Sequence, residues 1–132
     1  NLLPLLGVFA IAVWLTSWGA GVGYGPKTEA WYGIKVQDNL GLVSRRWPLP
    51  IVGALLTAGW ITGVIFFPLK RVRKPGFRAV SALSGLSALN VVISLFRADP
   101  APLLWGLRWE SWFSILILIG VGVYMFSEQR GN

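Results

Sequence analysis

Four stretches of this chain are long and apolar enough to cross a bilayer, and that feature restricts its fold more than any other. A spanning helix needs about 20 mostly apolar residues. Residues 2–24 and 49–69 carry no charge at all, and residues 77–96 and 110–126 carry almost none. Backbone polar groups in hydrocarbon must be paired within their own segment, so helices are the expected solution. The expectation is an all-α membrane protein in one domain, with about four transmembrane helices and one longer outward-facing loop at 25–48. Composition agrees. Of 132 residues 55% are apolar and 13% are charged, where soluble domains carry about 25% charged residues. The first stretch lacks a basic leader and is too apolar for a signal peptide. The chain opens on Asn1, which we read as processing or as part of a longer chain.

Pro and Gly punctuate the connections. Gly25-Pro26 ends the first span, Trp47-Pro48-Leu49-Pro50 opens the second, Pro68 closes it and Pro75-Gly76 makes a turn. Proline is tolerated in a first helical turn, where its missing N–H is not needed. Orientation follows from the bases. Lys70, Arg71, Arg73, Lys74 and Arg78 are packed together with no acid among them. On the opposite side Lys27, Lys35, Arg45, Arg46, Arg97 and Arg108 are diluted by Glu29, Asp38, Asp99 and Glu110. With Arg130 the totals tie at six each, so density decides. It places the 70–78 loop and both chain ends in the cytoplasm.

The chain has no Cys and no His. That excludes disulfides, thiolate and imidazole metal sites, His-ligated pigments and the usual nucleophile–base pairs. No acid sits inside a span, so a relay of membrane carboxylates is absent. There is no phosphate-binding Gly loop, and no two carboxylates are expected at a common site. The net charge of +7 is explained by orientation and anionic lipid, without nucleic acid. No cofactor and no metal are expected.

The polar residues that remain are few. Ser81, Ser84, Ser87, Asn90 and Ser94 follow one another at three- and four-residue steps in the third span, covering roughly one side of a helix. An Asn in hydrocarbon must find a partner, either on another helix or in a polar groove. Arg45, Arg46, Arg97 and Arg108 at the outer boundary can meet phosphate with a planar guanidinium, or simply snorkel to ordinary headgroups. Glu110 can pair with Arg108 or cap the fourth helix. Small residues four apart (Gly19 and Gly23, Gly21 and Gly25, Gly59 and Gly63, Ser81 and Gly85) are expected to let helices approach closely. Trp31, Trp47, Trp105, Trp109 and Trp112 fall near the interfaces, where indole rings anchor; a pigment or quinone platform is the alternative.

The order of these pieces resembles the C-terminal half of prolipoprotein diacylglyceryl transferase. That bacterial membrane enzyme moves a diacylglyceryl group from phosphatidylglycerol to a lipoprotein Cys. The resemblance lies in Tyr24-Gly25-Pro26-Lys27-Thr28-Glu29, a short strand around Trp31-Tyr32-Gly33-Ile34, and Arg46-Trp47-Pro48 opening a span. It continues in Arg73-Lys74-Pro75-Gly76, Phe96-Arg97-Ala98-Asp99 and the run from Gly106 to Trp112. The departures fall where the family keeps its charged and titratable groups. Its signature Arg, Asn and Glu fall at Trp14, Ser17 and Val22. Its Tyr-Glu pair falls at Val52-Gly53 and its His at Trp47. Its late Arg and Glu fall at Asn90 and Ser94. The family's upstream His-Gly-Gly motif has no counterpart here.

Transfer of a glyceryl group to a thiol needs a base and a means of stabilising phosphate charge. The resemblance with those groups missing implies a non-catalytic pseudoenzyme scaffold in a bacterial inner membrane. Apolar faces and small-residue seams, with little chain outside the membrane, suit an accessory or structural subunit of a larger membrane complex. A bioenergetic or photosynthetic assembly is one possible host. Two alternatives stay open. One is an active transferase completed by further chain, and the other is a lipid or pigment binder. Arg46, Arg97, Arg108, Asn90, Ser17 and Tyr24 are the candidate headgroup contacts, with phosphatidylglycerol the lipid that the resemblance implies. Other integral membrane subunits are the expected protein partners.

Overall fold

The computed structural model describes residues 2–37, 41–66 and 76–130. Four helices dominate it: α1 (Leu3–Gly19), α2 (Leu49–Phe66), α3 (Phe77–Phe96) and α4 (Trp109–Arg130). By length and composition α2, α3 and the Trp109–Ser127 part of α4 can cross a membrane, whereas α1 is a shorter apolar helix of 17 residues. Successive helices run antiparallel. Ile61 of α2 meets Gly7 of α1, while Trp14 of α1 meets Gly53 of α2. Further along, Asn90 and Ser94 of α3 meet Ser114 and Ser111 of α4. Of the basic loop expected at 70–78, Lys70, Arg71, Arg73 and Lys74 lie outside the described residues.

The first span was expected to run to Tyr24, but its helix stops at Gly19. The reason is a left-handed residue. Gly21 sits at φ 67°, its N–H donates to the Trp18 carbonyl, and the Val22 N–H donates to the Ser17 carbonyl. This pair of reversed hydrogen bonds satisfies carbonyls that would otherwise be orphaned and turns the chain out of the helix. At 1.5 Å per residue α1 is about 26 Å long, short of a bilayer core of about 30 Å. The second helix begins at Leu49 and the third spans 77–96, as the Pro and Gly punctuation implies. The fourth begins at Trp109 and continues past residue 126 to Arg130.

The all-α expectation needs a second correction, because two small hairpins interrupt it. Strands β1 (Ile34–Gln37) and β2 (Val43–Arg46) pair antiparallel, with Ile34 opposite Arg46 and Gln37 opposite Val43. Thr28 N–H donates to the Arg45 carbonyl, Trp47 N–H to Pro26, and Gly25 N–H to Trp47, so residues 25–28 lie along β2 as well. A connecting loop that crosses the top of a bundle must pair its own backbone groups, and this one does so as a sheet. Strands β3 (Leu103–Leu104) and β4 (Leu107–Arg108) form a second, tight hairpin. Its turn residues Trp105 and Gly106 both have positive φ, 51° and 78°, the conformation of a two-residue turn that matches strand twist.

The core is thin. Leu3, Ile61, Val64 and Ala82 form its buried cluster, with Leu6, Ile65 and Leu86 against it. Large apolar side chains such as Phe9, Leu55, Phe113, Leu116 and Val123 face outward. Close backbone approach occurs at Gly7, Gly53 and Gly85. A Cβ at Gly7 would stand 2.8 Å from the Ile61 Cγ2, one at Gly53 2.6 Å from the Trp14 ring, and one at Gly85 would overlap the Trp60 indole. Gly23 is buried near Pro50 and Arg97, and Ser81 offers its carbonyl to the Trp60 Nε1 at 3.2 Å. Gly19, Gly59 and Gly63, expected at packing seams, have open space beside them, because the seams within this chain fall on other helix faces.

This separates two kinds of glycine. Helix propensity favours Ala over Gly by about 1 kcal/mol, while forcing a methyl into a filled seam costs about 1–3 kcal/mol. Gly59→Ala and Gly63→Ala are therefore expected to hold or raise the melting temperature of the purified protein. Gly7→Ala and Gly53→Ala are expected to lower it. Equal shifts in all four would contradict the packing described.

Candidate functional site

The end of the bundle where α1 and α3 finish and α2 and α4 begin is tied together by backbone and charge. Ala98 N–H donates to the Tyr24 carbonyl at 2.9 Å, which joins the chain after α3 to the chain after α1. Arg97 follows α3 directly. Its Nε and Nη2 donate to Oδ1 and Oδ2 of Asp99 at 3.0 and 2.8 Å, and its Nη1 donates to Oε2 of Glu110 at 2.9 Å. Arg108, at the end of β4, donates from Nη1 to the Asp99 carbonyl and from Nη2 to Asp99 Oδ2. Two arginines and two carboxylates thus form one neutral network. The planar fork of Arg97 suits such two-point contact.

Two readings are corrected here. No pair of carboxylates was expected at a common site, yet Asp99 and Glu110 share Arg97. The 99–110 segment folds back through the β3–β4 hairpin, which no spacing rule for a continuous helix anticipates. Arg108, expected at the headgroup boundary, is 6% exposed and held behind Asp99. Its Nε is a buried donor with no partner among the described residues, 3.9 Å from Glu110.

The electrostatics follow from competing effects. Burial raises the Asp99 carboxyl, but the hydrogen bonds and charge of Arg97 and the charge of Arg108 outweigh it and leave the group below its ordinary value. Burial likewise lowers Arg97, and its bonds to Asp99 and Glu110 outweigh that and raise it. Both shifts favour the charged forms.

An open cleft of about 550 Å³ lies beside this network, lined by all four helices. Such a volume falls in the usual range for small-ligand sites, about 300–1,000 Å³. Ser17, Asn90 and Arg97 border it, so three of the six sequence candidates converge there. Ser17 donates back to the Val13 carbonyl at 2.8 Å, and Asn90 donates its amide to Ser114 Oγ at 2.8 Å. The other candidates stand apart from the cleft. Tyr24 is buried, with the Arg46 guanidinium 4.4 Å above its ring. Arg46 also donates from Nε to Ser44 Oγ at 3.1 Å, and Arg45 is exposed.

The polar steps of the third span divide in three directions, as successive three-residue steps drift around a helix. Ser94 and Asn90 meet α4, Ser87 faces the cleft, and Ser84 bonds back to the Ser81 carbonyl. Sequence reasoning missed Thr57, Ser114 and Glu110 as cleft residues. The two hydroxyls of an otherwise apolar span, Thr57 and Thr62, were the available signal, and spacing alone does not say which of them faces a cleft.

No family model, no curated protein and no solved structure matches this chain.

The network makes a prediction about acid. Asp99, with its depressed pKa, contributes stability that is full above the unfolded carboxylate value of about 3.9 and is lost as pH falls through its lower folded value. Arg97, with its raised pKa, contributes below the ordinary arginine range and loses that only in strong base. Melting temperature is expected to be level from about pH 5 to 8 and to drop below about pH 4. Asp99→Asn leaves two arginines facing one carboxylate, and is expected to destabilise the protein by about 3 kcal/mol while flattening the acid limb. A variant that melts like the parent at pH 7 would count against the network.

Proposed function

We propose that this chain is a non-catalytic, multi-pass membrane protein on a diacylglyceryl-transferase-like scaffold, acting as an accessory subunit of a larger membrane assembly. One observation carries the reading. Four positions where the resemblance puts reactive or charged groups, Trp14, Ser17, Val22 and Asn90, all border the same cleft. Their convergence favours the resemblance, and their side chains have no titratable group to offer it. The charged wall residues, Arg97 and Glu110, already neutralise each other. Among the described residues a cleft so lined offers no uncommitted base to activate a thiol and no uncommitted cation to hold a leaving phosphate.

The membrane reading rests on the three long apolar helices and the outward-facing side chains. Arg78 opens α3 at the end opposite Arg97, consistent with a cytoplasmic 70–78 loop and outward hairpins. The subunit reading rests on α4. Phe113, Leu116, Ile119, Val123 and Phe126 form an exposed apolar face, and large faces of that kind are covered by lipid or by other helices.

An assay of diacylglyceryl transfer from phosphatidylglycerol to a lipoprotein-type Cys peptide tests the first claim, with Arg97→Ala as control. No turnover is expected above background. Turnover that vanishes with Arg97→Ala would establish an active transferase instead. Purification in mild detergent followed by mass spectrometry of associated chains tests the second claim. Co-purifying membrane subunits are expected, and a lone monodisperse species would overturn it.

A further inference from the structure

Two hydroxyls in the cleft are left unanswered by the rest of the molecule. Thr57 on α2 is 1% exposed and Ser87 on α3 is 5% exposed, and both line the cleft. Among the described residues neither side chain makes a hydrogen bond, and neither oxygen is sealed from the cleft. Several other hydroxyls in these helices are instead bonded to their own backbone. Thr16, Ser17 and Ser94 each donate back to a carbonyl of their own helix. Each oxygen keeps a little accessible surface, so the two hydroxyls on one cavity wall are available to a ligand that can bond them.

The charge on the walls narrows the ligand. Each of the three nitrogens of Arg97 already donates to a carboxylate, and Glu110 is held by Arg97. The cleft therefore offers hydrogen bonds without uncompensated charge, and an anionic headgroup entering it would meet Glu110 with no free cation to offset the repulsion. Leu6, Phe9, Val13, Leu86, Leu89 and Ile117 give it an apolar wall. Its volume suits a molecule of drug size rather than a two-chain phospholipid.

We propose that the cleft binds a single-chain neutral lipid of the monoacylglycerol class. Its hydroxyl and ester groups bond to Thr57 and Ser87, and its chain lies along the apolar wall. This site goes beyond the non-catalytic reading and does not depend on it, because retention and turnover are measured separately.

The test uses the full chain in phosphatidylcholine nanodiscs and a monoacylglycerol carrying a photoreactive diazirine in its chain. Crosslinks mapped by mass spectrometry are expected on α1 and α3 cleft residues. Excess monoolein is expected to suppress them, while equal phosphatidylglycerol or oleate leaves them unchanged. Thr57→Val combined with Ser87→Ala removes two hydrogen bonds and is expected to weaken monoolein competition by about tenfold or more. Val13→Trp fills the cleft while leaving both hydroxyls in place, and is expected to abolish the specific crosslinks. The proposal is overturned by crosslinks confined to the outer face of α4, by equal suppression with phosphatidylglycerol or oleate, or by undiminished competition in the double variant.

Discussion

Arg97 is the residue through which the ends of the helices are joined. Its guanidinium holds Asp99 with two nitrogens and Glu110 with the third, and Asp99 in turn holds Arg108. The end of α3, the β3–β4 hairpin and the first turn of α4 are thereby fixed against one another. Burying such a network gains little net stability, since desolvation offsets much of the attraction. What it supplies is position. Any separation of α3 from α4 at this end would strand a charge, so the geometry is held more tightly than the thin apolar core alone could hold it.

That constraint shapes the cleft. Ser94 and Ser111 share a hydrogen bond of 2.6 Å, and Asn90 reaches Ser114, just below the ionic layer. These contacts use the polar side of α3 facing α4 and leave Ser87 facing α1 and α2. On the other side, Gly53 admits the Trp14 ring to the surface of α2. The cleft is the space left when one pair of helices is held by small-residue contact and the other by polar side chains. It is walled by apolar groups, bordered at one end by a neutral ion network, and supplied with hydroxyls. Those properties are the ones from which an uncharged amphiphile is proposed as its occupant.

Much of the fold was legible because long uncharged apolar runs must pair their backbone groups locally, as helices. Runs such as 49–66 have no charge, and Pro48 and Pro50 mark where the helix begins. The end of α1 was harder to read. Residues 20–24 are uncharged like the helix before them, and the left-handed turn at Gly21 shows that the helix has stopped. Close packing was misplaced for a related reason. Spacing finds every pair of small residues four apart, yet only the tertiary arrangement decides which face meets a neighbour. Gly53 had only Thr57 at that spacing, whereas Gly59 and Gly63 had each other and face open space.

The sequence by itself determined that this chain is helical and apolar, that imidazole and thiol chemistry are absent, and that its few charges cluster between spans. Those are properties of composition and local order, and no folding can alter them. The tertiary structure decided the partners. Arg97 and Arg108 read alike along the chain, but the β3–β4 hairpin buries one behind Asp99 and sets the other on the cleft wall. Thr57 and Ser87 are 30 positions apart in sequence, and they border one cavity because α2 and α3 pack side by side. Long-range adjacency of that kind depends on which helix faces meet, and periodicity within a single segment carries no information about it.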